Sequence, residues 1–368
     1  MKKVIYMMAA AAIALSSCSS EETTDVAKSS NITFRTTVGL NSRALELTNN
    51  NMTKMTVSAF DGTNAYFANK VFEKGEGNFF ECKAFNPTWP KNGNLTFFAY
   101  SHLGDTWSYK TPSLTSTGAT ITGFEPKTDI KNQHDVVFAY GTGSQTANET
   151  SGVELNFEHI LSQIKIVVKN TDVDLHYSIK GIRIASVSGS ADYTFAHDAD
   201  NNTNSHTWTN SGTANAVYQT EFENPVVLDN SNSVDLTDKC GAMIIPQTPT
   251  VWNGTDVAAN FENFKGKAYI SLLINVKRGN TNIYPASGNG YCWAAVALPS
   301  GTKWEAGNKY IYTLDLTNGC GKVDPVDPGV DPGVDPDDPI FGKEIKFTVN
   351  VLGWTDAFAG TNNGQIKM

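Results

Sequence analysis

Apolar side chains recur at every second position in short runs along most of this chain. Ile32, Phe34, Thr36 and Val38 share one face of a strand, Met55, Val57 and Ala59 share another, and Leu95, Phe97 and Ala99 a third. Turn formers separate the runs, among them Asp61-Gly62-Thr63-Asn64 and Lys91-Asn92-Gly93-Asn94. Further strands are predicted over 134–140, 153–157, 161–169, 178–185, 216–222, 242–245, 268–277, 291–298 and 309–316. Many short strands joined by polar turns predict an all-β protein with two β-sandwich domains in tandem. A composition rich in Thr, Asn, Gly and aromatics supports strands over helices.

The stretch 141–152 is long, polar and free of apolar periodicity, so the boundary is expected there, with domains over 31–150 and 151–321. After Gly319 the composition changes to an Asp-Pro-rich linker, 322–342. Five Asp-Pro pairs between 324 and 339 form neither ladder nor helix, because proline lacks the amide donor and restrains the residue before it. Extended as polyproline II, this linker spans on the order of 50 Å. Residues 343–368 supply one more strand and a tail. Ile345, Phe347, Val349 and Val351 lie on one face of that strand, with Lys346, Thr348 and Asn350 on the other.

The beginning of the chain reads differently. Lys2 and Lys3 form a positive start, 4–15 form an apolar core, and Leu15-Ser16-Ser17-Cys18 follows at once. Residues 1–17 are expected to be a lipoprotein signal peptide, with Cys18 as the lipidated residue. The apolar stretch is too short to remain as a spanning helix, so the lipid is the expected attachment to the membrane. Residues 18–30 are acidic and polar with almost nothing to bury, which predicts a flexible tether.

The formal charge of −9 and the lack of any basic run argue against nucleic acid as a partner. Cys82, Cys240, Cys292 and Cys320 are too widely spaced for a zinc ribbon. Export permits disulfides without requiring one; Cys240 and Cys292 are the pair favoured by lying in the same half, and buried free thiols are the alternative. Six scattered histidines form no ligand-spaced pair, and His159, beside a strong strand, reads as a buried hydrogen-bonded residue. Asp198-Ala199-Asp200-Asn201-Asn202 opens like a calcium loop, but Thr203 stands where glycine is needed and Thr209 where a bidentate glutamate is needed. Gly141-Thr142-Gly143 lacks the third glycine and the following helix of a dinucleotide site. No nucleophile elbow or paired acid and base appears. The chain is therefore expected to be no enzyme and to hold no cofactor or metal. Trp107-Ser108-Tyr109, Trp208 and Trp252 are candidates for stacking on a sugar ring.

The lipobox, the first strand Ile32-Thr33-Phe34-Arg35-Thr36-Thr37-Val38 and an arginine shortly after it form one group of motifs. Asp135-Val136-Val137-Phe138-Ala139-Tyr140 leads to Phe157-Glu158-His159-Ile160-Leu161-Ser162-Gln163-Ile164-Lys165-Ile166, and Trp304-Glu305-Ala306-Gly307-Asn308-Lys309-Tyr310-Ile311-Tyr312 and Trp354 follow. In this order they resemble the fimbrillins, the type V pilins. The resemblance covers most of the chain from Ile32 and implies two transthyretin-like β-sandwiches, export as a lipoprotein, and cleavage by an arginine-specific protease that removes the first strand. The exposed groove would then take a strand from another pilin subunit. Glu21 and Glu22 resemble signals that direct such lipoproteins to the outer face of the cell. The Asp-Pro linker departs from the family pattern and leaves two roles open for the last strand, donation to a neighbour or return to its own domain.

For the cleavage, Arg35 lies within a predicted strand, whereas Arg43 sits in the turn-rich Leu40-Asn41-Ser42-Arg43-Ala44. A protease needs extended, accessible chain, which favours Arg43 and a mature start at Ala44. Ile32, Phe34, Thr36 and Val38 would be displaced. Ile345, Phe347, Val349 and Val351 present nearly the same series at the same period and are the candidate donor residues; four such burials are worth roughly 6 to 12 kcal/mol before ordering. The first expectation is thus a pilus subunit with an outer-membrane precursor and a surface fimbrium as its mature form. The rival is a monomeric surface glycan-binding lipoprotein that keeps its lipid and its first strand.

Overall fold

The computed structural model describes residues 31–38, 47–75, 77, 79–104, 109–210, 212, 214–237, 241–252, 254, 266–288, 290–324, 339–342 and 345–353. Cys18, Arg43, Ala44, Trp107, Ser108, Cys240, Trp354, the tether and residues 325–338 lie outside the described residues.

The protein is all-β. Its first strands are β1 (Phe34–Val38), β2 (Lys54–Asp61), β3 (Asn64–Lys74), β4 (Phe80–Glu81), β5 (Leu95–His102), β6 (Ser113–Thr115), β7 (Gly118–Phe124) and β8 (Val136–Gly143). A single helical turn, α1 (Gln145–Asn148), precedes β9 (Val153–His159), β10 (Ser162–Lys169), β11 (Leu175–Val187), β12 (Ala191–Asp198), β13 (Thr203–Asn210) and β14 (Ala216–Val227). The remainder are β15 (Val234–Asp235), β16 (Ala242–Ile244), β17 (Tyr269–Arg278), β18 (Thr281–Tyr284), β19 (Cys292–Ala297), β20 (Asn308–Asp315), β21 (Lys322–Val323) and β22 (Lys346–Gly353). Most of the long strands with buried apolar alternation fall where the sequence predicts them. Among the longer strands β3, β7, β12 and β13 were not predicted: β3 is exposed at most positions and β13 at alternate ones, where the apolar period is lost, whereas β7 and β12 do bury Ile121, Ala191, Tyr193 and Phe195; the short β4, β6, β15, β18 and β21 were not predicted either.

Seven strands close a ring in the order β1-β4-β3-β2-β5-β8-β9. β1 completes it, running parallel to β9 from Phe34↔Val153 to Val38↔Phe157 and meeting β4 at Phe34↔Phe80. The expected boundary at 150/151 falls inside this ring, because β8 and β9 pair directly at Val137↔His159 and Phe138↔Glu158. Ser144 caps α1 by accepting from the Ala147 amide, and that turn, within the stretch read from the sequence as the domain boundary, is the connection between two neighbouring strands. Val153, Leu155 and Phe157 then place alternate side chains in the ring's core.

In the second half, β15-β10-β20-β22 with β16 forms one sheet, and β14-β11-β17-β19-β21 with β18 forms the other. Ile164, Ile166, Ile182, Leu272, Ile274, Tyr312 and Leu314 meet in the core between them. A fourth sheet, β13-β12-β7-β6, joins strands from both halves, with β7 pairing β12. Its buried face covers Phe98 and Phe138 of the ring with Ile121, Tyr193 and Phe195. Sequence patterning gave no sign of this shared sheet, which pairs a strand of the first half with one of the second.

The Asp-Pro stretch begins and ends on the same patch of the second half. Asp324 is fully buried; its carboxylate accepts from Arg183 Nη1 at 3.1 Å, Tyr269 OH at 3.0 Å and the Ser271 hydroxyl. On the return, the Ile340 amide donates to the Gly321 carbonyl at 2.9 Å, and Gly342 pairs with Gly319. Glycine is required at two of these positions: Gly321 (φ +97) and Gly342 (φ +71) have left-handed backbones, and a Cβ on either would collide with a carbonyl oxygen, of Ala295 and Asn318 respectively. The last strand then pairs with β20, from Asp315↔Lys346 to Asn308↔Gly353.

Candidate functional site

The site best built from these residues is the seat of β1. Ile32, Phe34 and Val38 are buried to within 2% of full, and Thr36 is half-buried. The Phe34 ring stands edge-on to Phe72 and Phe97, with centroids 4.8 and 5.1 Å apart. Phe80, Val153, Leu155 and Phe157 complete the wall. Backbone bonds extend the seat beyond the strand: the Ile32 amide donates to the Pro87 carbonyl at 2.7 Å and the Val153 amide to the Thr33 carbonyl at 2.9 Å. On the outer face Arg35 is exposed with its guanidinium 5.9 Å from the Phe79 ring centre, and Thr37 donates to Asn156. The backbone of Arg35 is part of the β1 ladder, opposite Glu154.

The chain on the other side of the expected cleavage is held separately. The Leu47 amide donates to Asp135 Oδ2 at 2.9 Å, and the same oxygen lies 2.8 Å from His159 Nδ1. Leu47 is 1% exposed and Asp135 fully buried. Removing β1 therefore takes away one wall strand and leaves the start of the next segment anchored by its own contacts. His159 is the buried hydrogen-bonded residue that the sequence suggests. Its partner Asp135 was not singled out, because 24 residues separate the two and only the β8–β9 register brings them together.

The structure does not bring the two matched strands into one groove. Ile345, Phe347, Val349 and Val351 pack half-buried against the second core, with Phe347 opposite Leu314, Val349 opposite Tyr312 and Val351 opposite Tyr310. The fit is loose. A cavity of about 200 Å³ lies beside Ile345 and Phe347, bounded by Trp252, Ala297 and Leu298, and one of about 310 Å³ lies beside Val349 and Val351, bounded by Pro299, Tyr310 and Tyr312.

Of the candidate sugar-stacking aromatics, Tyr109, Trp208 and Trp252 are used in packing. Tyr109 donates to the His134 carbonyl at 2.9 Å and its ring lies 4.5 Å from that of Phe124; burial pushes its hydroxyl up to about 12 against the lowering effect of that bond. Trp208 donates to the Ile160 carbonyl at 2.9 Å and packs on Phe124 and Tyr193. Trp252 is 1% exposed. The Asp198 stretch is a turn in which Asp198 Oδ1 accepts from the amides of Asp200 and Asn201. Cys82, Cys292 and Cys320 are buried, and burial pushes the Cys320 thiol well above its ordinary value. Among the described residues no group of three or more His, Cys, Asp or Glu side chains is arranged to hold a metal ion.

Residues 18–332 match the fimbrillin-like family, and the chain belongs to it. Among solved structures, it is similar to a fimbrial protein from Bacteroides vulgatus at 17% identity and a TM-score of 0.51, covering 88% of this chain and all of that one. Candidate cell adhesion proteins from Bacteroides uniformis (13% identity, TM-score 0.46, 88% of this chain and 99% of that one) and Bacteroides ovatus (14%, 0.47, 88% and 97%) are also similar. No curated protein matches the chain.

Proposed function

We propose that this protein is a structural subunit of a surface fimbrium that mediates adhesion, made as a lipoprotein precursor on Cys18 and matured by cleavage between Arg43 and Ala44. The observation that carries the proposal is the construction of the β1 seat. One short strand closes the ring, its inward Phe34 and Val38 are fully buried, and the chain beyond it is anchored independently at Leu47. Cleavage between the two makes β1 a non-covalent ligand of its own ring. Its departure uncovers an aromatic groove and the free edges of β4 and β9, which a strand from another copy is suited to fill by main-chain pairing with side chains in alternate pockets. Fimbrillin-like family membership and the likeness to a fimbrial protein support this reading and a cell-surface location.

Ile345, Phe347, Val349 and Val351 remain the candidate donor series. Donation requires β22 to leave β20, and its half-buried side chains make that exchange easier than extraction of the fully seated Phe34 and Val38. Polymerisation after arginine-specific cleavage tests the proposal: heat-labile, detergent-resistant ladders are expected, suppressed by a peptide of residues 31–38. Cleaved protein that stays monomeric at high concentration contradicts it. Separately, Cys18→Ala is expected to abolish labelling by a fatty-acid probe.

A further inference from the structure

A cleft of about 520 Å³ opens beside β14 and shares no lining residue with the seat of β1 or with β22. The segment leading into β8 crosses there: the Gln219 amide donates to the Thr128 carbonyl at 2.9 Å, and Asp129 bridges to Gln219. One wall is Arg183, 5% exposed. Its guanidinium donates from Nη1 to Asp324 at 3.1 Å and from Nε to Gln219 Oε1 at 3.0 Å, and rests 4.0 Å from the Trp293 ring centre. An arginine can only donate, so the Gln219 amide is fixed with its oxygen on Arg183 and its NH2 donors left without a partner among the described residues. Thr220, 7% exposed, has a buried hydroxyl that also lacks one. Lys131 uses one ammonium donor on the Glu221 carbonyl. Asp129 accepts from the Lys131 amide at 3.1 Å and the Asn132 side chain at 2.8 Å, so the carboxylate left open is that of Glu221, exposed at the rim.

We infer that this cleft binds a neutral saccharide, one sugar residue of a surface glycan. Each pyranose hydroxyl both donates and accepts, and the lining presents partners of both kinds: donors on Gln219, Thr220 and Lys131 and an acceptor on Glu221. Val217 is the one aliphatic side chain in the lining, too little apolar wall for a lipid or an apolar peptide. An anionic ligand is disfavoured, because the guanidinium already holds Asp324 and the Lys131 ammonium shares the cleft with the carboxylates of Asp129 and Glu221. The volume falls within the range of about 300–1,000 Å³ usual for small-ligand sites. The wall is also set before a ligand arrives, since Arg183 is pinned by Asp324 and Trp293 and in turn pins Gln219. The register between β11 and β14 shifts at Gly181, opposite Glu221. A Cβ on Gly181 would lie 2.7 Å from the Thr220 carbonyl oxygen, so this course of β14 past the cleft needs glycine. The inference gives the proposed adhesion a ligand class and uses none of the processing steps.

The test titrates the uncut full chain with methyl pyranosides of glucose, galactose, mannose and N-acetylglucosamine, and with neutral oligosaccharides immobilised on a surface. Galactose 6-sulfate and sialic acid serve as anionic controls. Saturable binding to at least one neutral probe is expected, and binding to the immobilised oligosaccharides alone would identify a longer glycan over a free sugar. Lys131→Ala and Glu221→Gln, both at exposed positions, are each expected to weaken it about two- to tenfold, the range for one lost hydrogen bond. Gln219→Ala is expected to do the same where it folds. Lys180→Ala is expected to change nothing, because that ammonium makes the same kind of contact, with the Glu223 carbonyl, outside the cleft. No binding to any neutral probe overturns the inference, as does preference for the anionic ones or unchanged affinity in both folded Lys131→Ala and Glu221→Gln. Because the chain is uncut, failure to bind sugar leaves fimbrial assembly standing, and failure to assemble leaves this site standing.

Discussion

Phe34 and Phe97 meet edge to face, their ring centroids 5.1 Å apart and their planes at 85°. Phe34 belongs to the strand proposed to leave, and Phe97 to β5, which stays. On that proposal the contact exists in the precursor and would be lost on maturation. Phe34→Ala is expected to lower precursor stability by about 3–5 kcal/mol, the range for deleting a buried phenyl ring, and to leave the processed protein unchanged. Denaturant titration of both forms checks this, and an equal loss in both would place β1 in the mature subunit.

Phe347 and Thr348 lie on opposite faces of β22, the first half-buried against the second core and the second exposed. Phe347→Asp puts a carboxylate against apolar walls, at several kcal/mol if it stays unpaired. It is expected to suppress polymer formation and to loosen β22 in the monomer, as read by hydrogen exchange along β20. Thr348→Asp is expected to leave both within error.

Arg183 and Asp324 form a buried ion pair at the root of the Asp-Pro stretch, with the guanidinium also 4.0 Å above the Trp293 ring. Breaking such a pair from one side strands the other charge and typically loses 3–5 kcal/mol, about the scale expected of Arg183→Met or Asp324→Leu alone. The double substitution is expected to lose less than the sum of the two, in a double-mutant cycle by thermal or chemical unfolding.

Glu158 ties β9 to β13. Its carboxylate lies 2.6 Å from His206 Nε2 and 2.5 Å from Asn204 Nδ2, and His206 Nδ1 lies 2.7 Å from the Tyr193 hydroxyl. Burial works to raise the Glu158 carboxyl, but bonds from His206 and Asn204 and the charge of His206 bring it below its ordinary value. A carboxyl with a depressed folded value contributes stability above the ordinary glutamate range and loses it as pH falls through the folded value. Wild-type melting temperature is thus expected to drop more steeply than that of Glu158→Gln between pH 5 and about pH 3; parallel curves would show that the tie does not depend on the charge.

The ring and both large sheets were legible wherever a strand buries one face, because Ile32-x-Phe34 or Leu95-x-Phe97 states its direction through period two alone. The β12–β13 hairpin was not: β13 is mostly exposed and its Asn204 and His206 bond to Glu158, while Ala191, Tyr193 and Phe195 of β12 carry the period but stand before a polar turn. The turn at 144–148 imitated a linker because polarity marks a connection without saying what it connects. Of the site, β1 was readable from local pattern. Asp135 was not, as its role depends on a register that places residues 47, 135 and 159 together.

The central claim is that β1 is absent from the assembled subunit, and mass spectrometry of the N-terminus of protein recovered from native surface fimbriae tests it most directly. The account predicts a chain beginning at Ala44 with no lipid. A chain beginning at lipidated Cys18 and retaining Ile32, Phe34 and Val38 would contradict it.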